Sequence, residues 1–64
     1  MRGHVAEFDF DRGLGVVVGE DQVNYPFHCV SIADASRDIA VGATVEFDHL
    51  MKLGRIEAAN IRSL

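Results

Sequence analysis

Histidine and cysteine side chains are the residues of this chain most able to hold a metal ion. Four of them are present near plausible strands: His4, His28, Cys29 and His49. None shows the C-x-x-C or H-x-x-x-H spacing of metal sites, and neighbours on a strand point to opposite faces. The sequence therefore predicts no metal site.

Carboxylates could instead act in acid–base catalysis or bind calcium. Glu7, Asp9 and Asp11 lie two residues apart, so on a strand they would share one face. An exposed acidic rim is the simpler interpretation. The chain offers no serine nucleophile with a plausible base and no phosphate-binding glycine loop followed by a helix. We predict that it has no catalytic activity and no cofactor.

Rings and basic side chains near glycine could bind flat bases and phosphates. They lie around two segments, Arg12 to Val17 (RGLGVV) and Tyr25 to Cys29 (YPFHC). Arg12 precedes a glycine that lets the backbone approach a ligand closely, and it could contact phosphate or be a solvated turn charge. His28 could stack on a base or be an ordinary surface histidine. Phe10 could stack on a base or cover the core.

Short strands must position these residues. The first is predicted over Arg2 to Phe10, where Val5 is out of phase with Phe8 and Phe10. Either a β-bulge near Glu7 turns all three side chains inward, or the phenylalanines lie on a different surface from Val5.

The rest of the chain shows the same short alternations. Leu14 to Val18 and the residues from Val23 to Phe27 predict a hairpin across an acidic turn, and Ser31 to Asp38 predicts a loop with a 3₁₀ turn. Further strands are expected at Thr44 to Asp48 and Arg55 to Ile61, joined by a loop over His49 to Gly54. Closing five such strands into a barrel would bury one face and remove the open edges. The expected core is Val5, Val17, Val23, Tyr25, Phe27, Ile32, Val45, Phe47, Ile56 and Ile61.

Length and charge limit the class of protein. The 64 residues form one domain, residues 1–64, and six basic against ten acidic residues give a formal net charge of −4. That sign disfavours nonspecific adhesion to polyanions. The single Cys29 cannot form an internal disulfide, no apolar run approaches the ~20 residues that span a bilayer, and the first residues lack the apolar run of a signal peptide. We expect a cytoplasmic protein without a membrane partner.

In order and spacing, several motifs resemble those of the bacterial cold-shock proteins. They are Gly3, Val5, Phe8, the RGLG turn, His28, Ile32, Gly42, Val45, Phe47 and the closing AANI at Ala58 to Ile61. The resemblance implies an all-β fold, a five-stranded antiparallel OB-fold barrel of the cold-shock type. It also implies binding of single-stranded RNA or DNA, in the manner of a transcription regulator or RNA chaperone.

The family binds bases on outward rings and basic side chains of its first three strands, and most of those rings are replaced here. The family's lysine and tryptophan are Ala6 and Glu7, and Pro26 and Cys29 replace the rings that flank the retained histidine. At the family's binding positions the resemblance implies nucleic-acid contacts by Phe8, Arg12, Leu14, Val16 and His28. Phe10 is added as a predicted binding residue, because it lies where the family commonly has a small polar residue and could be a relocated stacking ring. Because each base stacked on a ring contributes ~1–3 kcal/mol, we expect weakened or altered binding.

A protein partner is the alternative. Leu50, Met51 and Leu53 place large apolar side chains in the predicted loop, where they could cap the barrel or meet a protein partner or a second copy of the chain. The aliphatic replacements Leu14 and Val16 could serve the same purpose. The charge around the site discriminates between nucleic-acid binding and protein binding. Nucleic acid requires a continuous positive surface, whereas an apolar patch surrounded by acidic side chains suits a protein partner.

Overall fold

The computed structural model describes residues 1–33 and 38–64 and contains five strands. They are β1 (Arg2–Asp9), β2 (Leu14–Gly19), β3 (Asn24–His28), β4 (Thr44–Lys52) and β5 (Arg55–Ser63). They form one antiparallel sheet in the order β3-β2-β1-β4-β5, which confirms the predicted all-β class and strand number. Within the described residues no strand pairing joins β3 to β5, so the hydrogen-bonded sheet is not closed into a barrel.

A β-bulge in β1 brings its apolar residues onto the core side. Val5 pairs with Val17 and Glu7 pairs with Val16, so Ala6 is the extra residue. The shift lets Val5 and Phe8 face the same side, because it compensates for their odd spacing. Of the two alternatives that the sequence left open, the bulge near Glu7 is present, but it turns only Val5 and Phe8 toward the core. The strand ends one residue earlier than predicted, so Phe10 lies beyond it and is 66% exposed rather than turned inward.

The core lies against one face of the sheet, and eight of the ten predicted core residues are buried. The two errors are Val23, which is 47% exposed, and Ile56, which is 41% exposed. Val23 belongs to the turn before β3, and Ile56 lies on a part of β5 that extends past the core. Ile39 is buried although it was not predicted, because it lies in an irregular segment without periodicity.

The β4–β5 hairpin is longer and tighter than its sequence suggests. The predicted loop over His49 to Gly54 is wrong, since β4 continues to Lys52 and includes Leu50 and Met51. A two-residue turn follows, with φ of +47° at Leu53 and +84° at Gly54. Positive φ at both central residues is the geometry of a type I′ turn, whose twist matches that of the strands.

The connection between β3 and β4 begins with the predicted 3₁₀ turn, which lies at Cys29–Ser31 rather than after Ser31. Residues 34–37 of the predicted loop lie outside the described residues. An isolated parallel bridge joins Ile32 to Ile61 and brings the end of this turn beside β5. In the described part of the chain, no helix is long and apolar enough to cross a membrane.

The turn from β2 to β3 is held by several hydrogen bonds. The Tyr25 hydroxyl donates to the Asp21 carboxylate, which also accepts from the Val23 backbone N–H at 3.1 Å. The hydrogen bond from Tyr25 lowers the pKa of Asp21, and the same bond raises the pKa of Tyr25. The Glu20 N–H donates to the Arg2 carbonyl at 2.9 Å, which ties the turn to β1.

Candidate nucleic-acid interface

The register of β1, β2 and β3 sorts their side chains onto two faces. Phe8, Gly15 and Phe27 lie opposite one another on the three strands. Phe27 is fully buried, so this row faces the core. Because successive side chains alternate, Leu14 and Val16 point to the opposite side. That side is solvent-exposed and is called the outer face here.

Two rows of side chains make up the outer face. One row contains Asp9, Leu14 and His28, and the next contains Glu7, Val16 and Pro26. Leu14 and His28 are exposed, whereas Val16 and Pro26 are half-buried. Residues directly opposite on neighbouring strands have Cβ atoms about 4.5–5.5 Å apart, so each row is continuous. The structure therefore brings together three of the predicted binding residues, Leu14, Val16 and His28.

The two phenylalanines near the end of β1 lie differently from each other. The Phe8 ring stacks on Phe27, with centroids 5.8 Å apart and planes at 4°, and it packs against the core. Its position in the inner row makes Phe8 a residue of the core margin rather than of the outer face. Phe10 meets Phe8 edge to face at 6.5 Å and is the exposed ring of the pair.

A shallow depression of about 310 Å³ gathers four of the predicted binding residues. It is lined by Glu7, Phe8, Asp9, Arg12, Leu14, Gly15 and Val16. The Arg12 Nε lies 3.8 Å from the Asp9 carboxylate, and the Arg12 backbone N–H donates to the same carboxylate at 3.2 Å. Both side chains are well exposed, so the ion pair is weak and a phosphate could compete with it.

Gly13 fixes the turn that presents Arg12. Its N–H donates to the Asp9 carbonyl at 2.8 Å, and its carbonyl accepts from the Cys29 N–H at 2.7 Å. Its φ is +68°, and a Cβ added there would lie 2.8 Å from the Cys29 Sγ. Only glycine fits this conformation and this space without rearrangement.

A second depression, of about 260 Å³, adds a basic residue that sequence reasoning missed. It is lined by Leu14, Gly15, Pro26, Phe27, His28, Arg55 and Glu57. Arg55 is far from His28 along the chain. The two residues line one depression because β5 lies beside β3. The signal available in the sequence was a basic residue next to a hairpin turn, which by itself indicates only a solvated charge.

Glu57 is the buried charge of this depression. Its side chain is 4% exposed and lies 3.8 Å from the Lys52 Nζ and 3.7 Å from an Arg55 Nη2. Two cations therefore compensate one carboxylate. Arg55 itself is 72% exposed and lines the same depression as Leu14 and His28.

Charged groups are unevenly distributed across the outer face. The β1 side carries Glu7 and Asp9 beside Arg12, and the β3 side carries His28 with Arg55 beyond it. Within residues 1–33 and 38–64, no three histidine, cysteine, aspartate or glutamate side chains come together as a metal site would require.

Searches of protein-family models and of curated proteins find no match to the chain. What the outer face can bind follows from its own side chains. Aliphatic and ring surfaces pack on flat apolar groups, and guanidinium groups at the margins bind anions.

Proposed function

We propose that the chain binds single-stranded RNA or DNA through the outer face of β1–β3, as a cold-shock-type protein without catalytic activity. The observation that carries this proposal is the position of Leu14. It borders both depressions, with Arg12 beside it in one and Arg55 in the other, and it lies directly opposite His28. An apolar strip between two exposed guanidinium groups suits a chain of bases joined by phosphates.

An OB-fold barrel of the cold-shock type is part of the same proposal. The strand order β3-β2-β1-β4-β5 places β3 and β5 at the two ends of the sheet. Two observations indicate that β3 and β5 approach each other, which supports the barrel. Ile32, just after β3, forms a bridge with Ile61 of β5, and His28 of β3 lines one depression together with Arg55 of β5. The bulge at Ala6 supports it further, since bulges bend strands at the corners of barrels.

Bases would pack on Phe10, Leu14, Val16 and His28, and phosphates would contact the two guanidinium groups. Glu7 and Asp9 repel phosphate on the β1 side, and aliphatic side chains replace rings that would stack better. We therefore expect an affinity in roughly the micromolar range or weaker. Single strands should be preferred over duplex, because stacking requires unpaired bases.

The test is a titration with a fluorescent, mixed-sequence single-stranded oligonucleotide at low salt. His28→Ala and Phe10→Ala should each weaken binding by ~1–3 kcal/mol with little loss of folding. Arg12→Ala and Arg55→Ala should mainly reduce the slope of affinity against salt, because fewer counterions are released. Met51→Ala is the matched control, since Met51 is as exposed as Phe10 but lies on β4 away from the outer face.

A specific observation favours a second function. Glu7 and Asp9 share the larger depression with Arg12, so apolar surface there is rimmed by acidic groups as well as by a basic one. Such a rim suits a basic protein partner better than a polyanion. Folded protein that binds no oligonucleotide at low salt, or binds it equally well after all four substitutions, would contradict nucleic-acid binding and favour this alternative.

A further inference from the structure

One edge of β4 lacks a strand partner over half its length. β5 pairs with β4 along one edge as far as Lys52. On the other edge, β1 pairs only with Thr44–Glu46, and Met1 then exchanges two hydrogen bonds with Phe47, of 2.8 and 2.7 Å. Beyond Phe47, no strand of the described residues 1–33 and 38–64 pairs with this edge.

The backbone groups on that open edge can be assigned from the pairing. The Phe47 N–H and C=O point toward Met1, and the groups of successive residues alternate in direction along a strand. His49 and Met51 therefore direct their N–H and C=O groups to the open edge, whereas Leu50 directs its groups to β5. An edge of this kind is a template for another strand.

We propose that a second copy of this chain pairs with the open edge of β4, antiparallel and about a two-fold axis at Leu50. His49 of each copy then lies opposite Met51 of the other, and each such pair exchanges two hydrogen bonds. Leu50 lies opposite its own equivalent as a non-hydrogen-bonded pair, in which side chains approach most closely. Every open backbone group between Phe47 and the turn thereby gains a partner.

Charge supports the same register. It places Asp48 of each copy opposite Lys52 of the other, on the same side of the ribbon as Leu50. Both side chains are more than half exposed. Asp48 already accepts from Asn60 and lies near Arg62, but a carboxylate has about four acceptor sites and can take a further cation.

Neighbouring registers fit less well. An axis at His49 would set Met51 against Phe47, whose groups are already bonded to Met1. An axis at Met51 would set His49 against Leu53, which lies in the turn at positive φ and cannot pair as a strand. Of these three registers, only the axis at Leu50 pairs the open backbone groups of His49 and Met51 with each other. It is also the one that places Asp48 opposite Lys52.

Exposed apolar side chains on this hairpin add burial to the hydrogen bonds. Leu50, Met51, Leu53 and Ile56 are all exposed, and Leu53 is fully so. The interface is small, and interfaces of this size give weak association, so we expect dimers at roughly 0.1 mM and above. The outer face of β1–β3 stays open in this dimer, so the inference is independent of nucleic-acid binding.

Sedimentation equilibrium over roughly 10 μM to 1 mM tests the dimer, whose mass should rise from one chain toward two. Met51→Pro removes an N–H that faces away from β5, so it should weaken the dimer at least tenfold while the monomer stays folded by near-ultraviolet circular dichroism. Met51→Ala is the matched control. It removes the same side chain but keeps the N–H, and it should weaken the dimer only a few-fold.

Charge reversal tests the register separately. Asp48→Lys alone and Lys52→Asp alone each place like charges opposite one another in both pairs, so each variant should be monomeric. Because Lys52 also lies 3.8 Å from the buried Glu57 carboxylate, near-ultraviolet circular dichroism first establishes that each variant is folded. Mixing the two variants places opposite charges in both pairs and should restore dimers at about the wild-type concentration. A monomer at all concentrations would overturn the proposal, as would a dimer that survives Met51→Pro or a mixture that stays monomeric.

Discussion

The β2–β3 and β4–β5 hairpins of this sheet are anchored in different ways. The β2–β3 hairpin has Phe27 buried in the core, and its turn is tied to β1 and to Asp21 by hydrogen bonds. The end of the β4–β5 hairpin has a fully exposed leucine in its turn and an open edge. We infer that the proposed binding strip lies on the hairpin that is anchored in the core, and that the other hairpin is available for association.

The largest expected effect concerns the anchored hairpin. Phe27→Ala should cost ~3–5 kcal/mol of unfolding free energy, because it removes a fully buried ring that also supports Phe8. That loss is comparable to the whole stability of so small a domain, so we expect a largely unfolded protein. Thermal and urea unfolding measure it. Met51→Ala on the other hairpin is the control and should change stability little, and equal losses in both variants would contradict the comparison.

The next effect concerns Gly15 of the same hairpin, which lies opposite Phe8 of β1. A Cβ at this position would lie 2.5 Å from the Phe27 Cζ and 2.7 Å from the Glu7 carbonyl oxygen. Gly15→Ala should therefore destabilise the fold by ~1–3 kcal/mol, because either the buried ring or the backbone must move. Urea unfolding checks this. Leu14→Ala, next along the strand on the outer face, should cost less, and the reverse order would show that the two faces are misassigned.

A gain in stability is expected at the turn of the β4–β5 hairpin. Leu53 has φ of +47°, a conformation that is unfavourable for leucine and readily adopted by asparagine. Leu53→Asn should therefore raise the unfolding free energy by ~0.5–1 kcal/mol. Leu53→Ala keeps the unfavourable conformation and should give no such gain. If both variants unfold at the same urea concentration, the positive φ at Leu53 does not lower the unfolding free energy of the wild type.

The smallest effect is the pH dependence of the β2–β3 turn. The pKa of Asp21 is lowered below its ordinary 3.8 by the Tyr25 hydroxyl, so its contribution is present above about pH 4 and is lost as pH falls through the folded-state pKa. The pKa of Tyr25 is raised above its ordinary 10.0, so stability also falls as pH rises beyond that value.

Asp21→Asn isolates this contribution, because Asp48 and the other carboxylates remain unchanged. Urea midpoints measured between pH 7 and about pH 2 should fall more steeply in the wild type than in the variant. Parallel curves would mean that the bond between Tyr25 and Asp21 does not stabilise the fold.

Local patterns predicted the inner side of the sheet well. Val5, Val17 and Val45 are buried as predicted, and the odd spacing between Val5 and Phe8 left a bulge as one of two alternatives, the one that the structure contains. The proximity of Leu14 and His28 was also accessible, because a glycine-bounded hairpin fixes which residues lie opposite each other. These features depend only on neighbours in the sequence.

Features that depend on distant strands, or that break a turn preference, were not accessible. Arg55 reaches the outer face because β5 lies beside β3, which no local pattern encodes. The extension of β4 to Lys52 was missed because the type I′ turn has leucine where asparagine or glycine is usual. The position of Phe8 at the core margin was not accessible either, because its stacking on Phe27 depends on the register of three strands.

The contact between Gly13 and Cys29 gives the protein a reporter of its own local motion. Cys29 is the single thiol of the chain, and it is half-buried beneath the turn that presents Arg12. Because the turn at Gly13 packs against this sulfur, alkylation of Cys29 should become faster when the turn moves away, and its rate would then report local opening at one margin of the proposed strip. No engineered label is required, and a bound oligonucleotide that closes the turn would slow the reaction.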